Sequence, residues 1–144
     1  MVREAKKEDL QELLQLYLFL HEKAVPENTP HLQKVWEQIM ADPNHHIIVA
    51  EEAGHIVSSC VCVIIPNLTR NVRPYAFIEN VVTCEQFRGK GLAGACLQYA
   101  KDIAKQRGCY KMMLLTGSKE AHTLNFYRKA GFNSEDKTAF IQWL

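Results

Sequence analysis

The segment Gln86-Phe87-Arg88-Gly89-Lys90-Gly91-Leu92-Ala93-Gly94 is where residue types and spacing point most directly to chemistry. Closely spaced glycines let backbone N–H groups turn toward one point without Cβ obstruction. A helix starting at such a junction adds partial positive charge, so the place favours an anion, most often a phosphate or pyrophosphate. The plain alternative is a tight strand-to-helix turn in which the glycines serve sterics alone. Gly89 to Gly94 matches the GxGxxG dinucleotide fingerprint literally, but that ligand needs an acidic residue roughly 20 positions on to hold its ribose. Cys109 to Ser118 holds no Asp or Glu, and no GK[ST] occurs to make a Walker loop. A dinucleotide-binding fold also begins with its glycine-rich unit, whereas two helical patterns and a hairpin precede this one.

Two more side chains stand out. Glu79 interrupts the apolar stretch Phe77-Ile78-Glu79-Asn80-Val81, an expensive place for a charge unless it meets solvent or a partner. It fits a general base, or equally a salt bridge, with Arg73 as one partner. Tyr127 carries a phenol with an ordinary pKa near 10, protonated at neutral pH as a general acid must be. Its structural alternative is packing, since Leu124, Tyr127 and Ala130 share a helical face. Cys60 and Cys62 alternate on one strand face and suit a core. His45 and His46 point to opposite faces of a strand, which is poor for joint metal binding, and no metal site is expected. His122 suits a surface position.

These residues must be held by one domain spanning residues 1–144, because 144 residues is one domain's worth. With 17 basic and 16 acidic residues the net charge is +1, so no general attraction to nucleic acid or anionic membrane is expected. The longest apolar run, Ile56 to Ile65, contains Ser58 and Ser59 and falls well short of the roughly 20 residues of a membrane helix. Five cysteines without a CxxC pair predict reduced thiols and a cytoplasmic protein.

Along the chain, Met1 to Ala5 suits a first strand. Leu10, Leu13, Leu14, Tyr17, Leu18 and His21 follow helical spacing, with Asp9 as cap and Glu12 reaching back to it. Thr29-Pro30 opens a second helix whose face is Leu32, Val35, Trp36, Ile39 and Met40. His46 to Glu51 and His55 to Ile65 form a hairpin around Ala53-Gly54, and Asn67 to Pro74 is a polar loop. Tyr75 to Thr83 is a strand apolar enough for burial on both faces. Helices from about Gly91 to Arg107 and Lys119 to Ala130 flank a short strand from Tyr110 to Leu115. The tail from Phe132 to Leu144 supplies one or two further strands. The order predicts an α+β fold with a mostly antiparallel sheet and one internal βαβ unit.

Arg88-Gly89-Lys90-Gly91-Leu92-Ala93 resembles the Q/R-x-x-G-x-G/A signature of the GCN5-related N-acetyltransferase (GNAT) superfamily. Phe126-Tyr127-Arg128-Lys129-Ala130-Gly131-Phe132 resembles its later FYxKxGF motif, and the element order agrees from the first helix to the tail. The resemblance implies a mixed sheet of six to seven strands flanked by four helices, and transfer of an acetyl group from acetyl-CoA to a primary amine. It implies that Arg88, Gly89, Lys90, Gly91, Leu92 and Ala93 cradle the pyrophosphate. Val81, Val82 and Thr83 would bond the pantetheine arm as a neighbouring strand would. A bulge in that strand would open the acetyl site, where a free N–H near Asn80 or Val81 polarises the thioester carbonyl. Tyr127 would protonate the leaving thiolate, and Glu79 stands where several branches carry a Glu. Many members place an Asn seven residues before the motif tyrosine, where this chain has Glu120; Asn125 is the asparagine nearest the motif.

The acceptor is left open by the sequence. The motif neighbourhood resembles hexosamine-phosphate and small-amine branches, and Arg70 and Arg73 would suit an anionic substrate. Drug amines, polyamines and protein amines remain alternatives, as does a non-catalytic acyl-CoA sensor or scaffold. Specificity would come from the first two helices, short loops, or a second copy of the chain in a homodimer.

Overall fold

The computed structural model describes all 144 residues. Five strands, β1 (Val2–Glu4), β2 (His45–Glu52), β3 (His55–Ile65), β4 (Tyr75–Thr83) and β5 (Met112–Leu114), form one sheet in sequence order. All pairs are antiparallel except β4–β5, which is parallel. The helices are α1 (Leu10–Leu16), α2 (Pro30–Ala41), α3 (Thr69–Val72), α4 (Leu92–Gln106) and α5 (Ala121–Lys129). The turn α3 is a left-handed one, with positive φ at Arg70, Asn71 and Val72.

β3 lies at the centre and is buried on both faces from Ile56 to Cys62. Its two serines survive there because each hydroxyl has a partner. Ser58 Oγ donates to the Val82 carbonyl (3.0 Å), and Ser59 Oγ donates to the Ile48 carbonyl (2.8 Å), which removes the cost of burying an unpaired hydroxyl. The β2–β3 turn puts Ala53 (φ 52°) and Gly54 (φ 81°) both in the left-handed region, as a two-residue hairpin loop with the sheet's twist requires.

Two apolar clusters sandwich the sheet. On one face Ile48, Cys60, Cys62, Ile78 and their neighbours pack under Cys96, Leu97 and Ala100 of α4. On the other, Ile47, Val49, Val61 and Val82 pack under Leu13 and Leu16 of α1 and Trp36 of α2. Thr29 caps α2 as its position predicts, its Oγ1 accepting the Leu32 N–H at 3.1 Å. Asp9 does something else. Its carboxylate accepts the Lys6 N–H (2.6 Å) and pairs with Arg3 (2.6 Å), while Glu12 accepts the Ile56 N–H at 2.8 Å. Asp9 thus closes the single turn Lys7–Asp9 that leads into α1 and ties it to β1, while Glu12 ties α1 to β3.

The sheet has five strands where six to seven were expected, because residues 133–144 form none. β4 also departs from burial on both faces. Ala76, Ile78 and Val82 are buried, but Glu79 and Asn80 are exposed. No helix is long and apolar enough to cross a membrane.

Candidate active site

The geometry of β4 defines the site. Its parallel ladder with β5 consists of Ala76–Met112, Phe77–Met113 and Ile78–Leu114. β5 then ends while β4 runs on to Thr83, so the edge of β4 from Glu79 to Thr83 has no strand beside it on that side. On the other side the ladder with β3 is irregular. Glu79 opposes Val61 and Val82 opposes Ser59, leaving Asn80 and Val81 together opposite Cys60. That extra residue is a β-bulge, and Asn80 takes a positive φ of 51°, which asparagine tolerates better than most side chains. A bulge and a strand that parts from its neighbour together make a gap through the sheet.

The gap opens toward the glycine junction. Gly89 (φ 76°) and Gly91 (φ 79°) are both left-handed, and the space where their Cβ atoms would lie is open. Gly91 is the N-cap of α4, no side chain caps it, and the first turn carries no acidic residue. The leading N–H groups of a 15-residue helix therefore face outward with no anionic side chain to meet them. Arg88 is exposed and its Nε donates to the Thr83 carbonyl at 3.2 Å, fastening the loop to the end of β4. Lys90 Nζ lies 4.6 Å from the centre of the Phe87 ring. Leu92 and Ala93 are half-buried at the helix start. Open space, free N–H groups and adjacent cations fit a pyrophosphate.

The two remaining candidates stand on opposite faces of the sheet. Ile78 belongs to the cluster under α4, so its neighbour Glu79 projects to the α1–α2 face, opposite Val61. Glu79 is exposed and forms no ion pair; Arg73 instead donates to the Gly108 and Cys109 carbonyls, each at 3.2 Å. Tyr127 sits on α5, half-buried against the α4-side cluster. Phe126 at 5.0 Å and Phe132 at 6.3 Å between ring centres enclose it. Burial, with a smaller contribution from the Cys60 thiol, raises its pKa above the ordinary tyrosine value. Cys60 itself is pushed up by burial, so neither group ionises near neutral pH.

Other residues fall away from the gap. Asn125 accepts from Arg128 Nη1 at 3.1 Å, and Glu120 pairs with His122 at 3.2 Å, all four being exposed on α5 or at its start. Arg70 stacks 5.5 Å from the Tyr110 ring beside the beginning of β4, about 25 Å of strand from Thr83. No cluster of His, Cys, Asp and Glu has metal-binding proximity. Sequence reasoning missed Ser58, which bonds both the Val82 carbonyl and Thr83 Oγ1 (2.8 Å) and so fixes the end of β4. Its signal was a pair of serines inside an otherwise apolar run.

Comparison with known proteins agrees with this architecture. A solved protein from Agrobacterium tumefaciens str. C58, assigned as an acetyltransferase, is 38% identical, with TM-score 0.91 and 99% of each chain covered. The glucosamine-6-phosphate N-acetyltransferase structure from Arabidopsis thaliana is 26% identical, with TM-score 0.85, covering 100% of this chain and 97% of that one. The glucosamine 6-phosphate N-acetyltransferase of Trypanosoma brucei brucei is 36% identical over 87 residues, 60% of this chain and 57% of that protein. The chain thus spans little more than half the length of that curated relative. Residues 8–132 match the acetyltransferase (GNAT) family, and the chain belongs to that family of enzymes.

Proposed function

We propose that residues 1–144 act as one N-acetyltransferase domain, moving the acetyl group of acetyl-CoA to the primary amine of a small molecule, an amino sugar being the first candidate. The observation that carries this is the gap between β4 and β5 at the Asn80 bulge, with the glycine junction at its mouth. A pantetheine arm can lie along the free edge of Val81, Val82 and Thr83 and take the hydrogen bonds that β5 does not. The backbone from Arg88 to Ala93 would hold the pyrophosphate. The thioester then lies in the gap, reachable from both faces of the sheet.

From the α1–α2 face, Glu79 accepts the proton of the incoming ammonium, directly or through water. The neutral amine attacks the thioester carbonyl, a C–N bond forms, and the C–S bond breaks. From the opposite face, the Tyr127 phenol gives its proton to the departing sulfur. A bulge N–H at Asn80 or Val81 stabilises the carbonyl oxygen as charge grows on it. The amino-sugar acceptor is supported by the two glucosamine-6-phosphate N-acetyltransferases among the similar proteins. The unbridged thiols of all five cysteines suit a cytoplasmic setting.

The test is free-thiol release from acetyl-CoA across a panel of amines: glucosamine 6-phosphate, aminoglycosides, polyamines and a peptide with a free N-terminus. Acceptor-dependent release with an amino sugar supports the proposal. Tight acetyl-CoA binding without acceptor-dependent release from any of them would instead make the chain an acyl-CoA sensor.

A further inference from the structure

On the α1–α2 face the helices cover only part of the sheet. They pack over β2 and β3, but from β4 only Val82 joins that apolar cluster, and from β5 nothing does. Alternation with the buried Ile78 puts Tyr75, Phe77 and Glu79 on this face. The parallel ladder sets Met113 beside Phe77 and, one step earlier, Lys111 beside Tyr75. Tyr75, Phe77 and Met113 are half-buried, and none of them belongs to either core cluster. The turn Tyr17–Phe19 that follows α1 lies against β4 and walls one side. The result is a shallow groove that starts at the gap and runs back along β4.

Its two ends carry opposite charge. Glu79 stands exposed at the gap. At the other end Lys111 Nζ lies 5.0 Å from the centre of the Tyr75 ring and 5.3 Å from that of Tyr110. The Arg70 guanidinium lies 5.5 Å from the Tyr110 ring, and the two rings are 6.2 Å apart. Neither cation has a carboxylate partner, so the ring faces place them without neutralising them. Arg73, bonded to the Gly108 and Cys109 carbonyls at 3.2 Å each, fastens the turn bearing Arg70 to the residues that lead into β5. From Glu79 to Tyr75 is about 13 Å of strand.

We propose that this groove holds the acceptor, and that the acceptor is an amino sugar linked to a nucleoside diphosphate. The amine sits at Glu79, the pyranose rests its C–H face on Phe77 and Met113, and the two phosphates meet Lys111 and Arg70 in turn. Charge fixes the direction, since an ammonium is drawn to Glu79 and repelled from the cationic end. Two cations on two separate rings offer two successive anion positions, of which a single phosphate fills one. Which end reacts rests on the acetyl-transfer function proposed above; the diphosphate site rests on the groove alone.

Titration calorimetry with uridine 5′-diphosphate tests the cationic end, using the full chain saturated with coenzyme A so that the glycine junction is already filled. Binding is expected, weakened about tenfold or more by Lys111→Ala and by Arg70→Ala. Arg70 is exposed, so its variant keeps the test sound should Lys111→Ala disturb β5. With a uridine-diphosphate-linked amino sugar as acceptor, thiol release from acetyl-CoA should show KM for the sugar raised in both variants and kcat little changed. No binding of uridine 5′-diphosphate to the saturated chain would overturn the proposal. So would binding that both variants leave untouched, or a higher kcat/KM for glucosamine 6-phosphate than for the linked sugar. Binding that both variants weaken, without thiol release from any acceptor, would support the diphosphate site and remove the acetyl-transfer function instead.

Discussion

At the scale of single residues, the proposed proton acceptor, Glu79, and the proposed donor, Tyr127, stand on opposite faces of one strand layer. Tyr127 is shielded by Phe126 and Phe132, no hydrogen bond offsets its burial, and its pKa lies above the ordinary value. A raised phenol pKa keeps the donor protonated through the whole neutral range, so any loss of turnover that Tyr127 causes begins only above about pH 10. Tyr127→Phe should therefore lower kcat by about a hundredfold with KM for acetyl-CoA nearly unchanged. Steady-state kinetics across pH checks both points, and full turnover in the phenylalanine variant would remove the assignment. Glu79→Gln should act differently. It removes the acceptor on the α1–α2 face, so its loss of rate should shrink as rising pH deprotonates the amine in solution. A loss independent of pH would assign Glu79 to binding instead.

At the scale of elements, much of this arrangement is legible in the sequence, and the exceptions share a cause. The α2 cap at Thr29, the hairpin at Ala53-Gly54 and the glycine junction are local, and each follows from a few adjacent residues. What sequence patterning misread depends on partners far along the chain. Asp9 looks like a helix cap until Arg3 folds beside it, and Phe132 to Leu144 looks like strand although residues 133–144 pair with no strand of the sheet. Tyr75 to Thr83 looks buried on both faces because its composition does not show where β5 stops. The glycine junction itself supports a prediction. Gly91 holds φ at 79° where α4 begins, and a side chain in the left-handed region costs about 1–2 kcal/mol. Gly91→Val should relieve that strain by shifting the loop, turning the leading N–H groups off their common point. Isothermal titration should then show acetyl-CoA binding weakened by about tenfold or more. Arg88→Glu should weaken it through charge, with an effect that diminishes as salt is raised. Unaltered binding in both variants would place the pyrophosphate elsewhere.

At the scale of the whole molecule, the antiparallel half of the sheet is fastened to the α1–α2 face by one ionic cluster. Arg3 of β1 bonds Asp9, which precedes α1, and Glu51 of β2, joining three elements through a single guanidinium. The side chains of Arg3 and Asp9 are 17% and 9% exposed, so water screens this cluster less than a surface pair. Hydrogen bonding from Arg3, then from the Lys6 N–H, holds the Asp9 carboxyl below its ordinary value of 3.8. A carboxylate whose pKa is depressed on folding stabilises the native state at every pH above its unfolded value. That contribution is lost as pH falls through the lower folded value, because the unfolded chain takes up the proton first. Asp9→Asn cannot undergo this titration. It should cost about 2 kcal/mol at neutral pH, the worth of charge-assisted hydrogen bonds, and its deficit should narrow progressively below about pH 4. Urea unfolding of both proteins at pH 7, 4 and 3 measures the difference. A deficit that stays constant down to pH 3 would mean that Asp9 stabilises the fold through geometry alone, with its charge contributing nothing.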